Sequence, residues 1–198
     1  VLSGDASTLL VAASGGNSGA PRVYVFDVHN VTAPLAMLED PDGGNDCFGQ
    51  SLALSGNGSV ALVGSDCATV NGLGWAGKAY IYVRSNGNWS PTPVAVLTEA
   101  VPAQNDFFAT SVALSADGKT ALVGSDDYSS ADPIGRAYVF SGNGSAWHTM
   151  PDAVLTDPGA TPGNMFGSTV ALSGDGNTAL VGAGNGSDGK QAYIFQRT

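Results

Sequence analysis

The sequence predicts an all-β fold, a β-propeller built of four-stranded antiparallel blades with about four blades present, on three observations. Residues 166–183, FGSTVALSGDGNTALVGA, recur as FGQSLALSGNGSVALVGS at 48–65, as FATSVALSADGKTALVGS at 108–125 and, clipped, as VLSGDASTLLVAA at 1–13. The Leu-Ser pairs of the four copies begin at Leu2, Leu54, Leu114 and Leu172, spacings of 52, 60 and 58 residues that suit a four-stranded blade better than a short solenoid unit. Within the copies the residues are β-branched or small, glycine recurs every few positions, and no apolar stripe at helical spacing runs for the length of a helix.

Each copy reads as a hairpin, because two apolar runs flank a Gly/Asp/Asn cluster suited to positive φ. After a variable loop comes a third strand: Arg22-Val23-Tyr24-Val25-Phe26, Lys78-Ala79-Tyr80-Ile81-Tyr82, Arg136-Ala137-Tyr138-Val139-Phe140 and Gln191-Ala192-Tyr193-Ile194-Phe195. A fourth follows a polar turn, at residues 34–38, 94–97 and 153–155. Trp89 and Trp147 occupy one slot of this turn, each seven residues after the last aromatic of strand three. Repetition in one slot favours a packing role over a sugar platform. Apolar residues of the first two strands, Leu54, Leu62, Leu114, Leu122, Leu172 and Leu180, are expected to be buried between neighbouring blades.

The chain of 198 residues, 43% hydrophobic with 28 glycines and only 12% charged, reads as one turn-rich domain. Its units run over about 1–44, 45–104, 105–162 and 163–198. The first unit lacks the Phe-Gly start and the last ends after strand three. The four units therefore either close with one three-stranded blade or belong to a larger ring of up to ~8 blades. Unclosed edge strands invite pairing, so protein partners or self-association are expected.

The motif Phe-Gly-x-Ser-(Val/Leu)-Ala-Leu-Ser-x-(Asp/Asn)-Gly, then Ala-Leu-Val-Gly, then Ala-Tyr-(Val/Ile)-(Phe/Tyr), resembles the FG-GAP repeat family over nearly the whole chain. The resemblance implies blades like those of the integrin α head and of certain fungal lectins. Family members that bind calcium carry Asp-x-Asp-x-Asp-Gly. Here Ser173-Gly174-Asp175-Gly176-Asn177 and Ser115-Ala116-Asp117-Gly118-Lys119 depart from it and read as plain hairpin turns.

Cys47 and Cys67 are placed symmetrically about Asn57 at the tip of the second hairpin. This makes them cross-strand neighbours and predicts a disulfide. Two free thiols or half a metal site are the alternatives, although neither His29 nor His148 falls near them in the repeat. A disulfide implies an oxidising compartment. Five Asn-x-Ser/Thr sequons, at Asn30, Asn57, Asn88, Asn143 and Asn185, agree with an extracellular or cell-surface glycoprotein.

The formal charge of −10, with seven basic residues, disfavours nucleic acid and anionic membranes as partners. No apolar run approaches the length of a membrane helix. Asp40, Asp42, Asp46, Glu99, Asp106 and Asp157 fall between blades, and Asp66, Asp126, Asp127, Asp132 and Asp188 between strands two and three. Both loop sets emerge on one face, predicted to be acidic. Asp40-Pro41-Asp42-Gly43-Gly44-Asn45-Asp46 is the candidate metal loop, with calcium the candidate cation.

No nucleophile elbow, Ser/His/Asp order or phosphate loop is present, so no enzyme is expected. Two functions follow. The first is a non-catalytic extracellular structural or adhesion module that binds proteins or surfaces. The second is a carbohydrate-binding propeller, for which Trp75 and Tyr128 are the aromatic residues in ligand-facing loops.

Overall fold

The computed structural model describes residues 1–13, 20–44, 46–127, 134–159, 161–184 and 191–197. Among them are sixteen strands and no helix, arranged as four antiparallel sheets in chain order. The first holds β1 (Thr8–Ala13), β2 (Arg22–Asp27) and β3 (Ala36–Leu38), with Leu2 bridged to Leu9. The second holds β4 (Ser51–Leu54), β5 (Val60–Ser65), β6 (Lys78–Ser85), the short β7 (Asn88–Trp89) and β8 (Ala95–Leu97). The third repeats it with β9 (Phe108–Leu114), β10 (Thr120–Ser125), β11 (Arg136–Asn143), β12 (Ala146–Trp147) and β13 (Ala153–Leu155). The fourth holds β14 (Phe166–Leu172), β15 (Thr178–Ala183) and β16 (Gln191–Gln196).

The hairpin turns form as their serines and acids dictate. In each, a serine Oγ accepts the N–H five residues on: Thr8 to Ser3 at 2.9 Å, Val60 to Ser55 at 3.0 Å, Thr120 to Ser115 at 3.0 Å and Thr178 to Ser173 at 2.9 Å. The same hydroxyl donates to the Asp or Asn two residues on, at 2.6 Å for Asp117 and 2.5 Å for Asp175. These side-chain oxygens are occupied in shaping the turn. The turns also touch in series, because Asp5 N–H donates to Gly56 O at 2.9 Å, Gly56 N–H to Ala116 O at 2.8 Å and Ala116 N–H to Gly174 O at 2.8 Å. The inner hairpins of all four sheets are thus stitched tip to tip.

Face-on packing joins the sheets into three successive cores. Leu10, Val23, Val25 and Leu38 of the first sheet meet Phe48, Val63, Tyr80 and Tyr82 of the second. Leu62, Ile81 and Leu97 of the second meet Phe108, Val123, Tyr138 and Phe140 of the third. Leu122 of the third meets Phe166 and Val181 of the fourth. One aromatic trio recurs on the receiving sheet: Phe48 lies 5.6 and 6.3 Å from Tyr80 and Tyr82, Phe108 5.5 and 6.0 Å from Tyr138 and Phe140, Phe166 5.5 and 6.0 Å from Tyr193 and Phe195. Every residue of β5 and β10 is buried, since each lies in a sheet covered on both faces.

Glycine sets how close the sheets come. A Cβ on Gly124 would fall 1.9 Å from the Gly167 carbonyl oxygen, and one on Gly77 or Gly135 would fall 2.0 or 1.8 Å from that of Phe108 or Phe166. The recurrent Val-Gly of one unit therefore receives the Phe-Gly backbone of the next. Across the three junctions the pairs are Ala12 with Gly49, Gly64 with Ala109 and Gly124 with Gly167, so at least one member is always glycine. The incoming member is left-handed each time, at φ 86°, 72° and 93°.

Two expectations need amendment. Leu180 is 43% exposed rather than buried, because it lies on the outer face of the last sheet. Leu114 and Leu172 are only partly buried, whereas Leu54, Leu62 and Leu122 are buried as expected. The described residues show several packed antiparallel sheets and no closed ring. Trp89 and Trp147 are buried, at 8% and 9% exposure, on the two-residue strands β7 and β12 that pair with the far ends of β6 and β11. Their packing role stands.

Gly124→Ala is expected to lower stability by about 3 kcal/mol or more, the range of backbone overpacking in a core. Gly182→Ala stands in the same slot of the last sheet, where the added methyl meets only Thr169, and should cost about 1 kcal/mol. Urea unfolding of the two variants side by side tests this, and equal losses would contradict the stacking.

Candidate functional site

The chain crosses from the outer strand of one sheet to the Phe of the next with polar residues at two fixed offsets. Two residues beyond the last leucine stand Asp40, Glu99 and Asp157; two residues before the phenylalanine stand Asp46, Asp106 and Asn164. The start of the third strand supplies the wall, as Lys78 and Tyr80 or Arg136 and Tyr138. Three junctions thus carry one niche with different chemistry.

In the first niche, Asp40, Asp42 and Asp46 bring one carboxylate oxygen each within 4.8 Å of one another. Asp40 accepts the Asp42 N–H at 2.9 Å and the Gly44 N–H at 3.2 Å. Asp42 Oδ2 accepts from Lys78 Nζ at 2.6 Å and from the Tyr80 hydroxyl at 2.8 Å. Asp46 is only 9% exposed; its Oδ1 accepts the Phe48 N–H at 3.3 Å, and its Oδ2 is buried with no partner. Burial raises the Asp40 carboxyl above its ordinary value, and the Asp46 and Asp42 charges add to this. Burial acts likewise on Asp42, but the bonds from Lys78 and Tyr80 outweigh it and hold that carboxyl low. A shallow cavity of about 400 Å³ opens here, lined by Asp42, Gly44, Asp46, Cys67, Thr69 and Lys78.

The second niche is more enclosed. Glu99 is 5% exposed, and its Oε1 lies 2.6 Å from Ser125 Oγ, which also lies 2.7 Å from the Asp106 carbonyl. Burial pushes the Glu99 carboxyl up to about 7, against the Ser125 hydrogen bond and with the Asp106 charge assisting. Asp106 accepts the Ala103 N–H and is itself raised by burial, with Asp127 adding repulsion. Arg136 lies 3.6 Å from Asp127. In the third niche an amide replaces one acid: Asn164 Oδ1 accepts the Phe166 N–H at 3.2 Å, and Asn164 Nδ2 donates to Asp157 Oδ2 at 2.9 Å.

The structure bonds Cys47 to Cys67, with Cα atoms 5.4 Å apart. The β4–β5 ladder pairs Ser51 with Gly64, and its strict continuation would set Cys47 opposite Ala68. Left-handed Cys47 and Gly49 break the register and bring Cys67 within reach. Cys47, Asp66 and Cys67 cluster at metal-like spacing, but the two sulfurs are bound to each other. Asn30, Asn57, Asn88 and Asn143 are exposed, with Asn88 and Asn143 at strand positions rather than in loops. Trp75 is 48% exposed at φ 60° and its ring lies 5.4 Å from that of Phe107. Tyr128, Asn185, Asn45, Asp132 and Asp188 lie outside the described residues.

Two features escaped the sequence. His148 has a carboxylate beside it, Nδ1 lying 2.6 Å from Asp152 Oδ1 at an exposed turn. The grouping of acids into graded niches was also missed, though the fixed offsets from leucine and phenylalanine would have revealed it.

Because the folded-state value of Glu99 lies above its ordinary 4.5, the folded protein holds this proton more tightly than the unfolded chain. That stabilisation is complete below about pH 4.5 and is lost as pH rises through about 7, costing about 3 kcal/mol above it. Glu99→Gln, which keeps the Ser125 contact without the charge, should flatten the fall in urea midpoint between pH 5 and 8. An unchanged pH profile would contradict this description of the niche.

No curated protein sequence matches the chain. Among solved structures, hydrazine synthase of Kuenenia stuttgartiensis superposes with a TM-score of 0.60 at 15% identity, over 98% of this chain and 44% of that one. The likeness concerns the fold alone, and this chain spans less than half of that protein's length. A family model described as FG-GAP repeat matches residues 150–195, from β13 through nearly all of β16. The chain thus carries an FG-GAP repeat over these residues, which span the last strand of the third sheet and the fourth sheet with its Phe166-Gly167 and Val181-Gly182 pairs.

Proposed function

We propose that the chain is a non-catalytic structural module, a run of integrin-α-like propeller blades that works outside the cell by docking sheet against sheet. The observation that carries this is a pair of exposed apolar faces, one on the first sheet and one on the last. Leu180 and Ile194, 43% and 70% exposed, stand where Leu62 and Ile81 of the second sheet are buried by the third. Val11, 40% exposed, stands where Val63 and Val123 are buried by the preceding sheet. Gly182 keeps the docking glycine of Gly64 and Gly124. The last sheet thus offers the giving half, and the first sheet the receiving half, of a junction built three times between successive sheets.

The Cys47–Cys67 disulfide and the exposed sequon asparagines support the extracellular setting. No helix among the described residues is long and apolar enough to cross a membrane. Complementary, non-identical faces make a heterologous contact, in which the partner is a further sheet of the same protein or a second copy. A second reading, carbohydrate binding, is favoured by the exposed Trp75 ring beside Phe107.

Sedimentation equilibrium of the oxidised chain should show mass growing with concentration, and Ile194→Asp should return it to a monomer. A monomer at every concentration would contradict the docking reading. Saturable glycan binding lost in Trp75→Ala would put the carbohydrate reading in its place.

A further inference from the structure

The third junction shows what the niche looks like when it is complete. There Asn164 uses Oδ1 to accept the following Phe N–H and Nδ2 to donate to the acid across the gap, so both polar ends are satisfied. The first junction keeps the backbone bond, from Phe48 to Asp46 Oδ1, but replaces the amide nitrogen by a carboxylate oxygen. That atom, Asp46 Oδ2, is buried on a residue nine-tenths shielded from solvent and has no partner. Asp46 also brings one carboxylate oxygen within 4.8 Å of one oxygen each from Asp40 and Asp42. A buried carboxylate oxygen facing further carboxylates is costly unless something positive stands between them.

Lys78 does not fill the gap, since its ammonium is bonded to Asp42 Oδ2 at 2.6 Å. With three carboxylates and one lysine, the niche carries a formal charge of −2. A single proton bridges two oxygens, whereas here three carboxylates converge. A calcium-sized ion binds oxygen at about 2.4 Å, which places its ligands up to about 5 Å from one another. The three oxygens lie within 4.8 Å, before any closing of the loop. The loop can adjust, because Gly43 is left-handed with open space around it and Gly44 meets only the Asp46 side chain. The open side of the cavity leaves room for the waters that complete a hard cation's shell.

We infer that Asp40, Asp42 and Asp46 form a binding site for one hard divalent cation of the calcium type, seated at the junction of the first two sheets beside the Cys47–Cys67 disulfide. The site is separate from the hairpin turns, whose acidic oxygens are engaged by their own serines and backbone. Its role is to tie the loop leaving the first sheet to the start of the second, as the Asn164–Asp157 bond does without a metal at the third junction.

The test uses the oxidised 198-residue chain, stripped with chelator and titrated with calcium, and separately with terbium, whose emission the nearby Tyr80 and Tyr82 rings would sensitise. One equivalent of calcium should bind, the melting temperature should rise with calcium, and terbium emission excited through tyrosine should fall when calcium is added. Asp46→Asn installs the residue that the third junction uses and should fold normally. It should weaken calcium binding at least tenfold and melt in chelator at or above the wild-type temperature. Asp40→Asn provides a second removal of a ligand should the first variant misfold. The inference is overturned if wild-type melting is indifferent to calcium up to about 10 mM, the weak end of extracellular calcium modules. It is equally overturned if both variants bind calcium as wild type does, or if acidification alone reproduces the stabilisation while calcium does nothing, which would assign the niche to a shared proton.

Discussion

The structure depends on how closely the backbone of one sheet approaches the next. At each junction the left-handed residue after the phenylalanine enters a slot with room for one Cβ at most, and the sequence honours this with at least one glycine per pair. Everything else in the junction follows from that approach. The phenylalanine ring is carried over the two aromatics of its own third strand, and Leu62, Leu122 and their counterparts close the core from the other side. The Phe-Gly and Val-Gly pairs are two halves of one contact between successive units.

The same approach creates the acidic niches. Bringing the backbone of Phe48, Phe108 or Phe166 against the preceding sheet forces the connecting loop to turn over the junction, where acids at fixed offsets are partly stripped of water. The three junctions resolve the resulting repulsion differently. The third uses an amide, and in the second burial raises the Glu99 carboxyl to about 7, so that it holds a proton more readily than a free one. The first leaves the Asp46 oxygen without a partner. Burial is thus the common cause, and the identity of one side chain per niche decides the chemistry.

Much of this was legible in the sequence. The hairpins, the third strands and the buried tryptophans follow from repetition, since a residue kept in the same slot of successive units is held there by packing. The disulfide was also legible, although the ladder alone misplaces it by one residue and only the left-handed Cys47 and Gly49 correct the register. What the pattern could not show was where packing stops. Leu180 is spelled like Leu62 and Leu122, yet it is exposed because its burial depends on a following sheet and not on its own strand. The Asp46 orphan was hidden for a similar reason: a carboxylate in a loop reads as solvated until the neighbouring sheet covers it.

The central claim, that one Cβ per junction is the steric limit of stacking, is tested most directly by a double-mutant cycle at the first junction. A Cβ on Gly49 would stand 3.0 Å from that of Ala12 and 3.0 Å from Val23 Cγ2, while Ala109 shows that alanine tolerates the left-handed backbone of this slot. Unfolding free energies of Gly49→Ala, Ala12→Gly and the double variant should reveal a favourable coupling of about 1 kcal/mol, with Ala12→Gly recovering part of what Gly49→Ala loses. Simple additivity of the two changes would contradict the account.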